Sequence, residues 1–142
     1  MTYVMSPDER QAFLAGVHVG ILSVAEPGRG PLTVPVWYEY EPGGDIQFTT
    51  GGGSKKARLL RQFGRCSMCV QTETSPYQYV SVEGPVVRME PADPNVDLRR
   101  IARRYLGLAE GDEYIREYQP AEDILVVVRP ERWYSADYSK EG

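Results

Sequence analysis

The chain has 142 residues, 42% of them hydrophobic, and a formal net charge of −4. That length suits one domain with a real core, taken as residues 1–142; no apolar run nears the ~20 residues of a membrane span, and MTYVMSPDER lacks the basic-then-apolar layout of a signal peptide. A cytoplasmic protein without a membrane partner is expected, and the acidic balance argues against a general nucleic-acid binder.

Ser6-Pro7-Asp8-Glu9 forms a capping box with proline at the first helical position, so a short helix is expected from there to Gly16. Strands follow at 17–24 (VHVGILSV), 32–40 (LTVPVWYEY) and 45–50 (DIQFTT), joined by the glycine-bearing links PGRGP and EPGGD. Ser54 is a cap residue for a helix in SKKARLLRQF, with Leu59, Leu60 and Phe63 as its apolar stripe. Further strands are expected at 66–72 and 77–90, the second bulged at Gly84-Pro85, then helices at 95–106 and about 110–118, the first stopped near Gly107. The last strands are ILVVVRP (124–130) and RWYSADY (132–138). ILVVV is apolar on both faces, so it should carry barrel core on one side and another cover, economically a partner subunit, on the other.

Several tempting motifs reduce to packing. Cys66 and Cys69 spell C-x-x-C, but on a strand they point to opposite faces and read as structural thiols. His18 is the only histidine, which leaves neither a zinc site nor a hydrolase triad, and it reads as a barrel residue. TTGGGSKK departs from the phosphate-loop spacing. Arg99, Arg100, Arg103 and Arg104 repeat at helical spacing near Glu110, Asp112, Glu113 and Glu117, as a solvated, salt-bridged face would.

Lys55 and Lys56 fall in the first turn of their helix, where the backbone already carries partial positive charge and unpaired N–H groups. An anion is needed there. Lys56, Leu60 and Phe63 lie at i, i+4 and i+7, so Lys56 tops the apolar stripe and faces the seam between helix and barrel; Lys55 sides outward with Arg58 and Gln62. Lys56, Ser54 and the free N–H groups make a phosphate cradle. Tyr77, Tyr79 and Ser81 alternate onto one strand face with Val80 and Val82 on the other, placing the tyrosines outside the barrel against a flat ring or a partner subunit.

The order VHVGILSV, PVWYEYE, GGDIQFTT, GSKKARLL, PYQYVSVEGPV and PERWY resembles the split β-barrel flavoproteins of the pyridoxamine-phosphate oxidase superfamily, most closely the actinobacterial flavin/deazaflavin oxidoreductases that bind coenzyme F(420). The thirteen Arg against three Lys fit a GC-rich genome, in mild agreement. The resemblance implies a mainly β (α+β) fold, a six-stranded antiparallel split β-barrel with short flanking helices, and a homodimer with cofactor grooves at its interface. It puts the phosphate on Lys56, with Lys55 beside it. Val34, Pro35, Val36 and Trp37 floor the ring, Thr49, Thr50 and Ser54 lie along the strand and loop before the helix, and Tyr77, Gln78 and Tyr79 come from the opposite subunit. The implied activity is hydride transfer from the reduced deazaflavin to an unsaturated small molecule of enone, quinone or tetrapyrrole type, with solvent, Tyr77 or Tyr79 as proton source and no metal. FMN is the alternative cofactor, and a noncatalytic carrier of a flat ligand the alternative class. Where many relatives have Asn in K-x-x-N-L this chain has Leu59, which implies one polar contact fewer to the cofactor tail. After PERWY there is no Arg- and His-bearing pattern of the true pyridoxamine-phosphate oxidases, which disfavours vitamin B6 synthesis.

Overall fold

In a computed structural model describing residues 2–140, the chain runs α1 (Pro7–Leu14), β1 (Gly20–Val24), β2 (Leu32–Val36), β3 (Ile46–Gly51), α2 (Lys55–Phe63), β4 (Arg65–Gln71) and β5 (Gln78–Pro91). A π-helical turn, Pro94–Leu98, leads into α3 (Arg99–Leu106), then α4 (Leu108–Glu117), β6 (Asp123–Val128) and β7 (Arg132–Asp137). The strands pair antiparallel in the order β2-β1-β4-β5-β6-β3, with β7 on the first half of β5. The fourteen-residue β5 makes this possible, because its first half pairs β4 and β7 and its second half pairs β6. A single bridge between Glu39 and Gln47 joins the chain beyond β2 to β3, so the two ends of the six-strand path meet. The expected six-stranded split barrel is present, with the RWYSAD segment, expected as a strand at 132–138, as a seventh strand on β5. No helix among the described residues is long and apolar enough to cross a membrane.

Four sequence expectations shift. The first strand starts at Gly20 rather than residue 17: a Cβ there would lie 2.7 Å from Met68 Sδ, so bare backbone is what fits. The second ends at Val36 instead of 40. The irregularity in β5 falls between Val86 and Arg88, and Gly84 serves another purpose, since a Cβ on it would stand 1.7 Å from the Arg129 carbonyl oxygen. The β6–β7 link crosses directly over that glycine, with Arg129 N–H on Pro85 O (3.0 Å) and Glu131 N–H on Glu83 O (2.9 Å).

The fourth concerns β6. Ile124, Val126 and Val128 fill the barrel core as expected, but Leu125 (4% exposed) and Val127 (3%) on the outer face are also buried by this chain alone. Val127 is flanked across the sheet by Gln47 and Arg88, and Leu125 by Thr49 and Glu90. Long polar side chains cover apolar surface with their stems, so β6 does not require a partner subunit.

A second, smaller core joins Leu98, Ala102 and Ile115 with Trp37 and Tyr114, and fastens the α3–α4 hairpin to the barrel. Trp37 stacks on Tyr105 (4.9 Å between centroids, 8° between planes), whose hydroxyl donates to His18 O (2.6 Å) and accepts from Tyr38 N (3.1 Å). His18 stacks on Phe13 and its Nε2 lies 2.9 Å from Phe13 O, so it ties α1 to the barrel from a position before β1. The arginine face divides: Arg99 and Arg103 both bond Asp112 at 2.7 Å, as a salt-bridged face would. Arg104 turns inward and donates to Ala15 O and Gly16 O at 2.8 and 2.7 Å, where it neutralises the carbonyl end of α1.

Candidate functional site

Local chemistry sets α2. Ser54 has extended dihedrals and its Oγ accepts from Ala57 N–H (3.1 Å), while its carbonyl accepts from Arg58 N–H (3.1 Å). The first-turn N–H groups of Lys55 and Lys56 keep no acceptor among the described residues. The glycine loop before the cap is anchored, because Gly52 N–H donates to Glu122 O (2.8 Å) and Arg61 Nη1 donates to Gly52 O (2.9 Å). Ala57, Leu59 and Leu60 face the core, whereas Phe63, assigned to the stripe from spacing, is 39% exposed.

This geometry separates the two lysines. Lys55 points outward and its Nζ lies 2.5 Å from Glu26, whose carboxyl it holds below the usual range. Lys56 enters a cavity of about 420 Å³ and forms no ion pair among the described residues. Pro35, Val36 and Trp37 line one wall of this cavity and Thr49, Thr50 and Gly51 another. The α3–α4 region supplies Leu98, Ile101, Tyr114 and Tyr118, and β6 begins there with Asp123. Burial lowers the Lys56 pKa, an effect that Asp123 partly opposes, and burial raises the Asp123 pKa against the pull of Lys56.

Six of the residues named from sequence therefore meet: Pro35, Val36, Trp37, Thr49, Thr50 and Lys56. Val34 packs against the barrel core, Ser54 acts as the cap, and Lys55 is spent on Glu26. Tyr77, Gln78 and Tyr79 are not in this cavity within the chain; Tyr77 is 53% exposed and Tyr79 half-buried, while Val80 and Val82 fill the barrel as the alternation requires. Leu59 is a core residue (1% exposed), so the departure from Asn opens no gap in the cavity wall, and an amide there would be buried among apolar side chains. Cys66 is buried, with its thiol pushed up to about 12, and Cys69 faces the other side, half-buried: neither is an activated thiol. Asp123, Tyr114 and Tyr118 escaped the sequence reading, although a carboxylate opening an all-apolar strand was a usable signal.

A larger depression of about 700 Å³ lies over the outer face of β6, between β3, β5 and α3. Four of its five carboxylates are already in ion pairs, Glu39 (2.6 Å) and Asp97 (3.6 Å) with Arg100, Glu90 (3.3 Å) with Arg88 and Asp45 (3.9 Å) with Arg129. The smaller cavity holds chemistry that no ion pair within hydrogen-bond distance satisfies among the described residues: a half-buried ammonium and carboxylate, free helix N–H groups, and the hydroxyls of Thr49, Thr50, Tyr114 and Tyr118 beside an apolar wall. Such a set fits a phosphorylated, ring-bearing cofactor.

The sequence matches the family model for pyridoxamine 5'-phosphate oxidase over residues 6–137. No curated protein matches it in sequence. Among solved structures, it is similar to an F420 reductase, with 24% identity over 87% of this chain and 94% of that one and a TM-score of 0.71. It is also similar to the conserved hypothetical protein Rv2991 from Mycobacterium tuberculosis, with 26% identity, 96% and 88% coverage and a TM-score of 0.75. A FAD-binding protein from Mesorhizobium loti shares the fold at 20% identity, 95% coverage of each chain and a TM-score of 0.68. With the barrel, its strand order and the family match agreeing over nearly its whole length, the chain belongs to the pyridoxamine 5'-phosphate oxidase family, a flavin-binding superfamily of split-barrel oxidoreductases.

Proposed function

We propose that this chain is a reductase that uses the deazaflavin coenzyme F(420) to reduce an unsaturated small molecule of enone, quinone or tetrapyrrole type. The observation that carries the reading is the convergence of Pro35, Val36 and Trp37, Thr49 and Thr50, and Lys56 on one cavity. When bound, the coenzyme supplies the hydride. The protein supplies position. Lys56 and the α2 N–H groups hold the phosphate, the Pro35–Trp37 backbone supports the ring, and the Trp37–Tyr105–Tyr114 aromatic packing fixes that support against the α3–α4 hairpin. Exclusion of water by the wall of Leu98 and Ile101 strengthens the charge interactions inside.

The same reading includes a homodimer. Pro35, Ile21, Cys69, Ser81 and Tyr134 are registered side by side across five strands, forming an uncharged row on the outer face of the sheet. Ile21 is 37% exposed and Tyr134 67%. Pro35 belongs both to this row and to the cavity wall, so a second copy seated on the row would bring its Tyr77–Tyr79 segment, with Tyr77 exposed and Tyr79 half-buried, toward the cavity mouth, where either phenol could deliver a proton. FMN is the second reading, because a cradle of Lys56 and helix N–H groups would hold the phosphate of either cofactor.

Adding coenzyme F(420) and FMN separately to purified protein, with fluorescence and sedimentation as readouts, tests both parts. Tighter binding of coenzyme F(420) to a dimer, with oxidation of its reduced form by an enone, quinone or tetrapyrrole, is expected. A yellow protein that retains FMN and consumes oxygen supports the alternative; tight binding without turnover supports a carrier.

A further inference from the structure

Asp123 stands in a cavity assigned to an anion, and nothing in the phosphate argument calls for it. Lys56 and Asp123 are the two formally charged side chains on the cavity wall, so their formal charges cancel and only the partial positive charge of the α2 N-terminus remains. None of the neighbouring basic residues lines the cavity: Lys55 is paired to Glu26, Arg61 donates to the Gly52 carbonyl at the surface, and Arg58 is exposed. Asp123 is also fixed in place. Its backbone is paired with Gly51 at the end of β3, its carbonyl accepts from Ala92 N–H (2.9 Å), and the strand it opens is buried from Ile124 to Val128. The carboxylate cannot swing away with a loop.

A terminal phosphomonoester carries about −1.5 to −2 charge at pH 7, whereas a phosphodiester carries a single negative charge. One lysine matches the diester. The second charge of the monoester would face Asp123 across a partly desolvated space with no further cation on the wall.

We propose that Asp123 acts as a charge filter, so that the cavity takes a phosphodiester monoanion attached to a hydroxyl-bearing chain and disfavours a terminal phosphomonoester dianion. Lys56 and the α2 N–H groups hold the single charge. Asp123, which as a carboxylate accepts and cannot donate, takes the hydrogen bonds of the chain hydroxyls beside Thr49 and Thr50. Burial disfavours both charged side chains in the isolated cavity, and a ligand with one negative charge and several donors compensates both. The inference rests on the reading that this cavity receives the phosphate end of the cofactor.

The test uses two probes that differ by one charge, 5-deazariboflavin 5'-phosphate and its methyl phosphodiester, titrated by fluorescence against the native protein and Asp123→Asn. The native protein is expected to prefer the diester roughly tenfold. In Asp123→Asn the two affinities should come within about twofold, mainly through tighter monoester binding; Asp123→Ser, smaller and equally neutral, should behave the same way, and Asp123→Glu should keep the preference. Equal binding of the two esters by the native protein, or an undiminished preference in the Asn and Ser variants, overturns the filter while the phosphate reading stands. Failure of both esters to bind overturns the phosphate reading and the filter together.

Discussion

The two depressions on this molecule treat charge in opposite ways. In the groove over β6, four of five carboxylates are paired with guanidinium groups of the same chain, and the paired Arg88 and Glu90 flank the buried Val127 and Leu125. In the Lys56 cavity the helix end, the ammonium and the Asp123 carboxylate are brought together half-buried, with each side chain's charged form disfavoured by its surroundings. The first arrangement stabilises the fold without a ligand. The second costs stability until a ligand arrives, which is how a binding site differs from a solvated surface of the same composition.

The contrast breaks most directly at the lysines. Charge-assisted hydrogen bonds contribute about 1.5 to 3 kcal/mol each, so Lys56→Ala should weaken cofactor binding roughly 10- to 150-fold. Lys55→Ala and, in the groove, Arg100→Ala should change it by no more than about twofold. Comparable small effects in all three variants, measured by cofactor titration, would mean that the phosphate sits elsewhere. A smaller effect sharpens the comparison in the empty protein. Lys56→Met keeps the aliphatic stem and removes the disfavoured charge, and should raise Tm by roughly 2 to 5 °C. Arg100→Met removes the partner of Glu39 and Asp97 and should lower it. A calorimetric shift of the same sign in both would show that the two charges are equally well satisfied.

Much of this was legible locally. Ser54 as cap, the seaming of Lys56, the opposed faces of Cys66 and Cys69 and the alternation from Tyr77 to Val82 follow from side-chain periodicity within one element, and the structure reproduces them. Periodicity does not say what covers a face. The doubly apolar β6 demanded two covers, and the second is supplied by the chain's own long side chains. Nor does spacing along a nine-residue helix fix its edges: Ala57 lies inside and Phe63 outside, because the helix ends at Gly64 in the left-handed region (φ 64°) and the chain turns away. Tyr114, Tyr118 and Asp123 reach the cavity only because the α3–α4 hairpin folds back onto Trp37, a contact between segments far apart in sequence. Gly84-Pro85 carries the local signature of a bulge, but the constraint on Gly84 is the Arg129 carbonyl, which no local pattern contains.

The smallest effects lie in pH, where the two kinds of charge should respond at opposite ends of the scale. The pKa of Lys56 is lowered in the folded protein, so the cost of burying its charge is present below that folded value and relieved as pH rises through it toward the unfolded value of 10.5. Empty protein should therefore gain stability on the alkaline side from this group. Cofactor binding should weaken over the same interval, since the phosphate needs the charged form. Asp112 behaves conversely: the hydrogen bonds from Arg103 and Arg99 depress its pKa from 3.8 to about 2. Its contribution is fully present above 3.8 and is lost as pH falls through about 2. Because Asp112 is paired at the surface with an exposed Arg103, salt should screen that contribution more strongly than the cost at Lys56 inside its cavity. Denaturant titrations of the native protein, Lys56→Met and Asp112→Asn across pH and salt separate the two. An alkaline gain that survives in Lys56→Met, or an acid loss unchanged in Asp112→Asn, would assign the effect to other groups and remove the electrostatic contrast between the cavity and the paired surface.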